Sequence, residues 1–177
     1  MTTATASTGI AATLRRLYFV RFAFALVWAA SLFATASAIG PVSAALLVLY
    51  PLFDVAAAVV DARSARASGL YVNIVISSLA AVGLALAVTS GIPAVLRVWG
   101  AWAVVSGLVQ LAVGVGRRGL GGQWAMIASG GLSALAGTTF YLQASGAEAS
   151  LTGLAGYALV GGIFFLVSAL RLGRAGA

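Results

Sequence analysis

Asp54 and Asp61 are two of the three acidic residues in a chain of 177. Both sit in LVLYPLFDVAAAVVDARSAR (47–66), a stretch otherwise dominated by Leu, Val, Ala and Phe. A carboxylate in such surroundings can accept structural hydrogen bonds, pair with a cation or carry a proton. Residues seven apart on a helix differ in direction by roughly 20°, so both acids face one side. That side must be protein or a wet cavity, because an Asp at mid-span opposes membrane insertion by roughly 2.5–3.5 kcal/mol.

The two acids differ in depth. Asp61 lies close to Arg63 and Arg66, and an interfacial ion pair with Arg21, or with one of those two, is the simplest expectation for it. Asp54 lies near the middle of the apolar run. Gln110 shares its depth, being seven residues before Arg117 as Asp54 is nine before Arg63, and Ser106 is one turn away. A carboxyl buried without a cation takes up a proton instead. A neutral Asp54 bonded to Gln110 or Ser106 is one solution, purely structural; proton or cation handling by the same three residues is the other. Pro51 removes an N–H from the helix three residues earlier and can open room for a polar partner.

Little else in the chain could do chemistry. There is no Cys and no His, which removes disulfides, thiolate nucleophiles, imidazole bases, haem ligation and zinc sites. No P-loop is present, and Asp54 and Asp61 lie along one helix rather than across a substrate as glycosidase carboxylates do. Glu148 stands alone in a loop. The expectation is a protein without enzymatic activity, metal or cofactor. Asn73, Gln123 and Gln143 fall near helix ends and are expected at the membrane interface. Tyr18, Trp99, Trp102, Trp124, Tyr141 and Tyr157 read as an aromatic belt, and Trp28 as core packing.

The elements that must position these residues are membrane spans. The chain is 62% hydrophobic and 7% charged, against roughly 25% charged in soluble proteins, with a mean hydropathy of +1.10. Apolar runs at about 18–39, 41–61, 70–90, 94–115, 121–143 and 151–171 predict an all-α integral membrane protein of six transmembrane helices. Residues 1–15 read as a disordered polar tail ahead of a six-helix domain over 16–174.

The net charge is +7, all ten cations being Arg. Arg15, Arg16, Arg63, Arg66, Arg117, Arg118, Arg171 and Arg174 fall at the N-terminus, after helices 2 and 4, and at the C-terminus, while the intervening loops carry none. That alternation satisfies the positive-inside rule with both termini cytoplasmic. Membrane orientation therefore explains the arginines, and nucleic acid is not expected as a partner. The lipid bilayer is, together with further copies of the chain or other membrane proteins. Abundant Ala, Gly and Arg without Lys suggest a GC-rich bacterial source and hence an inner (plasma) membrane.

Arg15-Arg16, the apolar run 22–33 and ATASA (34–38) also outline a cleavable signal peptide. Internal similarity argues for retaining helix 1. At a shift of 52, Gly40-Pro41 falls on Ile92-Pro93, Tyr50 on Trp102, Asp54 on Ser106 and Arg66 on Arg118; at 55, Trp102 falls on Tyr157 and Gly107 on Gly162. The chain thus reads as three tandem helical hairpins, 16–66, 70–118 and 122–174, and helix 1 is needed to complete the first. Seven-residue spacings of small residues, Gly100, Gly107 and Gly114, then Gly130 and Gly137, then Ala155, Gly162 and Ala169, keep one face toward a neighbouring helix. They read as packing seams in preference to a pore lining.

The hairpins, with VLRVWGAWAVVSGLVQLAVGVGRR (95–118), GQWAMIASGGLSALAG (122–137) and an opening YFVRFAFALVWA (18–29), resemble the HdeD-like acid-resistance membrane proteins. The resemblance implies a short bacterial inner-membrane protein of repeated helical pairs, linked to acid or envelope stress tolerance, with no established reaction and no catalytic residues. The alternative from the residues alone is a small proton-coupled transporter or channel using Asp54. Reporter fusions at 62–69 and at 117–122 should report one compartment and a fusion at 144–150 the other; a shared compartment for 62–69 and 144–150 would remove the threading.

Overall fold

A computed structural model describes residues 2–65, 69–116, 124–146 and 149–174. Arg66, Arg117, Arg118, Gln123 and Glu148 lie outside the described residues. The elements are α1 (Thr2–Thr35), α2 (Pro41–Ala65), α3 (Gly69–Ala87), a 3-10 turn (Val88–Ser90), α4 (Ile92–Gly116), α5 (Trp124–Gln143) and α6 (Thr152–Arg174). No strand occurs among the described residues. With no water to satisfy N–H and C=O groups inside a bilayer, helices that bond internally are the form these apolar runs must take.

Among the described residues five helices are long and apolar enough to cross a membrane: α1 over Ala12–Thr35, then α2, α3, α4 and α6. α5 is diluted by Ser129, Gly130, Gly131, Ser133, Thr138 and Thr139. The helix of α1 starts at Thr2, well inside the stretch expected to be a disordered tail; no proline interrupts it. The short turns have simple causes. Pro41 opens α2, where a missing N–H costs nothing. Just ahead of it the Gly40 N–H donates to Ser43 Oγ at 2.9 Å. Gly91 takes φ +93° before α4, a backbone region that disfavours other residues.

Large apolar side chains cover the outside. Leu79, Leu86, Leu135 and Leu142 are each more than two-thirds exposed, a surface suited to lipid and hazardous in water. Inside, one end of the bundle is filled by rings. Trp28 stacks on Trp99 at 5.4 Å between centroids, Tyr50 meets Trp28 at 4.6 Å, and Trp99 meets Trp102 at 5.2 Å. Trp99 Nε1 is buried without a hydrogen-bond partner, so that ring acts through packing. The aromatic residues expected as an interfacial belt thus include core: Trp99 and Trp102 are buried.

The helices form a closed ring in which each packs on its sequence neighbours and α6 returns to α1. The most extensive contacts are α4 with α5, α1 with α6 and α2 with α3, all across the expected hairpin boundaries, whereas α5 and α6, expected as one hairpin, meet sparingly. The glycine seam is the reason. α4 and α5 run antiparallel with Gly100 facing Gly137 and Gly107 facing Gly130. A Cβ on Gly107 would sit 2.7 Å from the Gly130 carbonyl oxygen and 2.8 Å from the Ala134 nitrogen; one on Gly137 would sit 2.6 Å from the Gly100 carbonyl oxygen. Backbone atoms and the Cβ atoms of Ser133 and Ala103, which no side-chain rotation can move, occupy that space. Gly162 plays the same part between α6 and α1, where a Cβ would lie 3.0 Å from the Ala25 methyl. Gly114 is buried on the same helix face as Gly107.

Gly107→Ala and Gly137→Ala should each destabilise the detergent-solubilised protein, by about 1–3 kcal/mol. Gly131→Ala, whose added methyl meets nothing within 4 Å, should leave thermal stability unchanged or raised, since Ala is the better helix former. Equal losses at positions 107 and 131 would dismiss the seam.

Candidate functional site

Asp54 is buried on α2, one turn beyond Tyr50. Its Oδ1 accepts from Arg21 Nη2 on α1, the one ion pair among the described residues. Its Oδ2 accepts from Asn73 Nδ2 and from Ser77 Oγ on α3, both at 2.8 Å. Asn73 and Ser77 are four apart and so share a helix face. Ser77 Oγ in turn accepts from Trp102 Nε1 on α4 at 3.1 Å. The Arg21 guanidinium lies over the Phe165 ring of α6, 4.2 Å from its centroid, a favourable cation–π placement. Five helices therefore converge on one carboxylate.

Register explains why Arg21 meets Asp54 and not Asp61, the expected partner. Trp28 Nε1 donates to the Leu46 carbonyl at 2.7 Å, which fixes α1 antiparallel to α2. Two turns back from Trp28 lies Arg21; two turns on from Leu46 lies Asp54. Asp61 is two turns further toward the end bearing Arg63. Among the described residues Asp61 makes no ion pair or hydrogen bond; it lies half-buried. The other expected partners of Asp54 are placed differently too. Ser106 Oγ donates to its own helix, to the Trp102 carbonyl at 2.6 Å. Ser106 and Gln110 instead face, with Asp54, a common cavity.

That cavity has a volume of about 460 Å³ and occupies the half of the bundle that the rings leave unfilled. All six helices line it. Arg21, Asp54 and Asp61 supply charge, Tyr18, Tyr50, Trp102, Tyr157, Phe164 and Phe165 supply rings, and Val109, Val113, Leu132 and Val160 supply aliphatic surface. Tyr157 is bonded to Ser133 across the sparse α5–α6 contact, at 3.0 Å between oxygens. Leu132 on α5 and Val160 on α6 line the cavity and are each exposed.

Sequence reasoning overlooked Asn73, Ser77 and Trp102, reading the first and last as interfacial. A signal existed. Arg21 and Asn73 are 52 apart, the shift that aligns Tyr50 with Trp102, and both donate to Asp54. Tyr50, Trp102 and Tyr157, superimposed by the shifts of 52 and 55, all reach the cavity. Comparison with protein-family models, curated proteins and solved structures finds no match to this chain.

Arg21→Met leaves Asp54 buried with no cation and should lower stability by about 3–5 kcal/mol, whereas Arg21→Met with Asp54→Leu should recover most of that loss. Thermal unfolding in detergent of the two single variants and the double variant measures the coupling. Additive losses would mean that the pair is not coupled.

Proposed function

We propose that the chain is a non-enzymatic, multi-pass protein of a bacterial inner membrane, with both termini cytoplasmic, serving acid or envelope stress tolerance. In this reading it acts by associating with other membrane proteins or by modifying membrane behaviour. The lipid-suited exterior supports the membrane location, and the alternation of arginines along the sequence supports the orientation. The HdeD-like resemblance in 18–29, 95–118 and 122–137 supports the stress role.

The observation that carries the non-transporting reading is the condition of Asp54. Arg21, Asn73 and Ser77 together donate to both carboxylate oxygens. A group that gives and takes a proton each cycle would have to break these bonds, and the pair with Arg21 among them, on every turnover. Asp54 suits a fixed node joining α1, α2 and α3 better than a shuttle.

One observation favours a second reading. The node faces a cavity that also holds Gln110 and Ser106, the arrangement a small proton-coupled transporter or channel would need. Reconstituted protein assayed across a pH gradient with a panel of ions separates the two. The first reading expects no flux above empty liposomes, and acid survival of cells that depends on the chain. A pH-driven flux that Asp54→Asn abolishes would establish transport instead.

A further inference from the structure

Asp61 is a half-buried carboxylate that none of the described cations pairs with directly. Arg21, the cation that spacing offers it, is held by Asp54, and Asp61 itself makes no ion pair or hydrogen bond among the described residues. It lines the same 460 Å³ cavity as that pair. Among the described residues the charged groups lining the cavity are one guanidinium and two carboxylates, a net of one negative charge. Arg63, two residues beyond Asp61, is exposed, and Arg15 lies beside Phe19, 5.6 Å from its ring centroid; neither lines the cavity.

The remaining lining argues for the kind of cation. Tyr18, Trp102, Tyr157 and Phe164 present aromatic rings to the space, and ring faces attract organic cations, most of all where water is displaced. The chain already shows the chemistry once, in the Arg21 guanidinium over Phe165. A metal ion would need several oxygen ligands, and no cluster of three acidic side chains occurs among the described residues. The volume falls within the range of sites for drug-sized molecules. Leu132 on α5 and Val160 on α6 add exposed aliphatic surface to that lining.

We infer that this cavity binds a lipophilic organic cation, its positive centre at Asp61 and its apolar groups among the rings and the aliphatic wall near α5 and α6. This goes beyond the stress-tolerance reading and does not depend on it, since binding without flux leaves that reading as it stands.

Two ions of one shape and opposite charge test it. The full chain, purified in detergent, is titrated calorimetrically with tetraphenylphosphonium and separately with tetraphenylborate, the heats of empty micelles being subtracted. Tetraphenylphosphonium should bind at one site per chain, tighter than tetraphenylborate by roughly tenfold or more. Asp61→Asn, which removes the charge and loses no bond to a described residue, should weaken tetraphenylphosphonium by roughly tenfold. Arg97→Gln on the exposed face of α4 should leave it unchanged. If Asp61→Asn does not yield folded protein, Phe164→Leu serves, with an expected loss of roughly threefold. Equal affinity for the two ions, or tetraphenylphosphonium binding unaffected by the lining variant, would overturn the inference.

Discussion

A carboxylate buried among apolar helices needs a cation or donors close by, because unpaired charge at that depth is strongly unfavourable. In this bundle the need is met from outside the helix that creates it. Arg21 comes from α1, Asn73 and Ser77 from α3, and Trp102 supports Ser77 from α4. Each donor fixes the height and rotation of its helix relative to α2. Lipid provides no hydrophobic drive for helices to associate, so such a polar node adds registry that apolar surfaces alone specify poorly. α1 is therefore integral to the bundle: a chain lacking it would leave Asp54 without its counter-ion.

Two kinds of packing divide the bundle. On one side, backbones touch: Gly100, Gly107, Gly130 and Gly137 bring α4 and α5 together until carbonyl oxygens stand where methyl groups would be. Elsewhere, rings from Trp28, Tyr50, Trp99 and Trp102 keep the helices apart and fill the space between them. The cavity follows from this division. α5 is drawn onto α4 by its small residues, which leaves its contact with α6 thin, and no side chain as bulky as indole fills the half of the bundle beyond Trp102. The same small and hydroxyl residues that lower the hydropathy of α5 make its close approach feasible.

The arrangement also assigns different parts to two acids that look alike in sequence. Seven residues apart on one helix face, Asp54 and Asp61 share a side but not a level. Asp54 stands level with Arg21 and becomes the polar core of the fold. Asp61 stands two turns away, in the open part of the same space, where charge is available to whatever enters. A difference of two turns along α2 is thus the difference between a structural group and a ligand-facing one.

Much of the architecture was legible without coordinates. Apolar runs of span length can form nothing but helices in hydrocarbon, so the all-helical character and the approximate helix limits follow from composition and breaks. The shared face of Asp54 and Asp61 follows from helical period, and the heptad glycines mark seams because only Gly permits backbone contact. The partner of each seam and of each acid was a different matter. Gly107 could have met α3 as readily as α5, and Arg21 could have met Asp61 as readily as Asp54, because helix period fixes direction but not the relative height of two helices. The Trp28–Leu46 hydrogen bond and the Gly107–Gly130 contact set those heights. They made Asn73 and Ser77 ligands of a carboxylate, turned Trp102 inward and left Asp61 without an ion pair among the described residues, through contacts between residues far apart in the chain that no local pattern encodes.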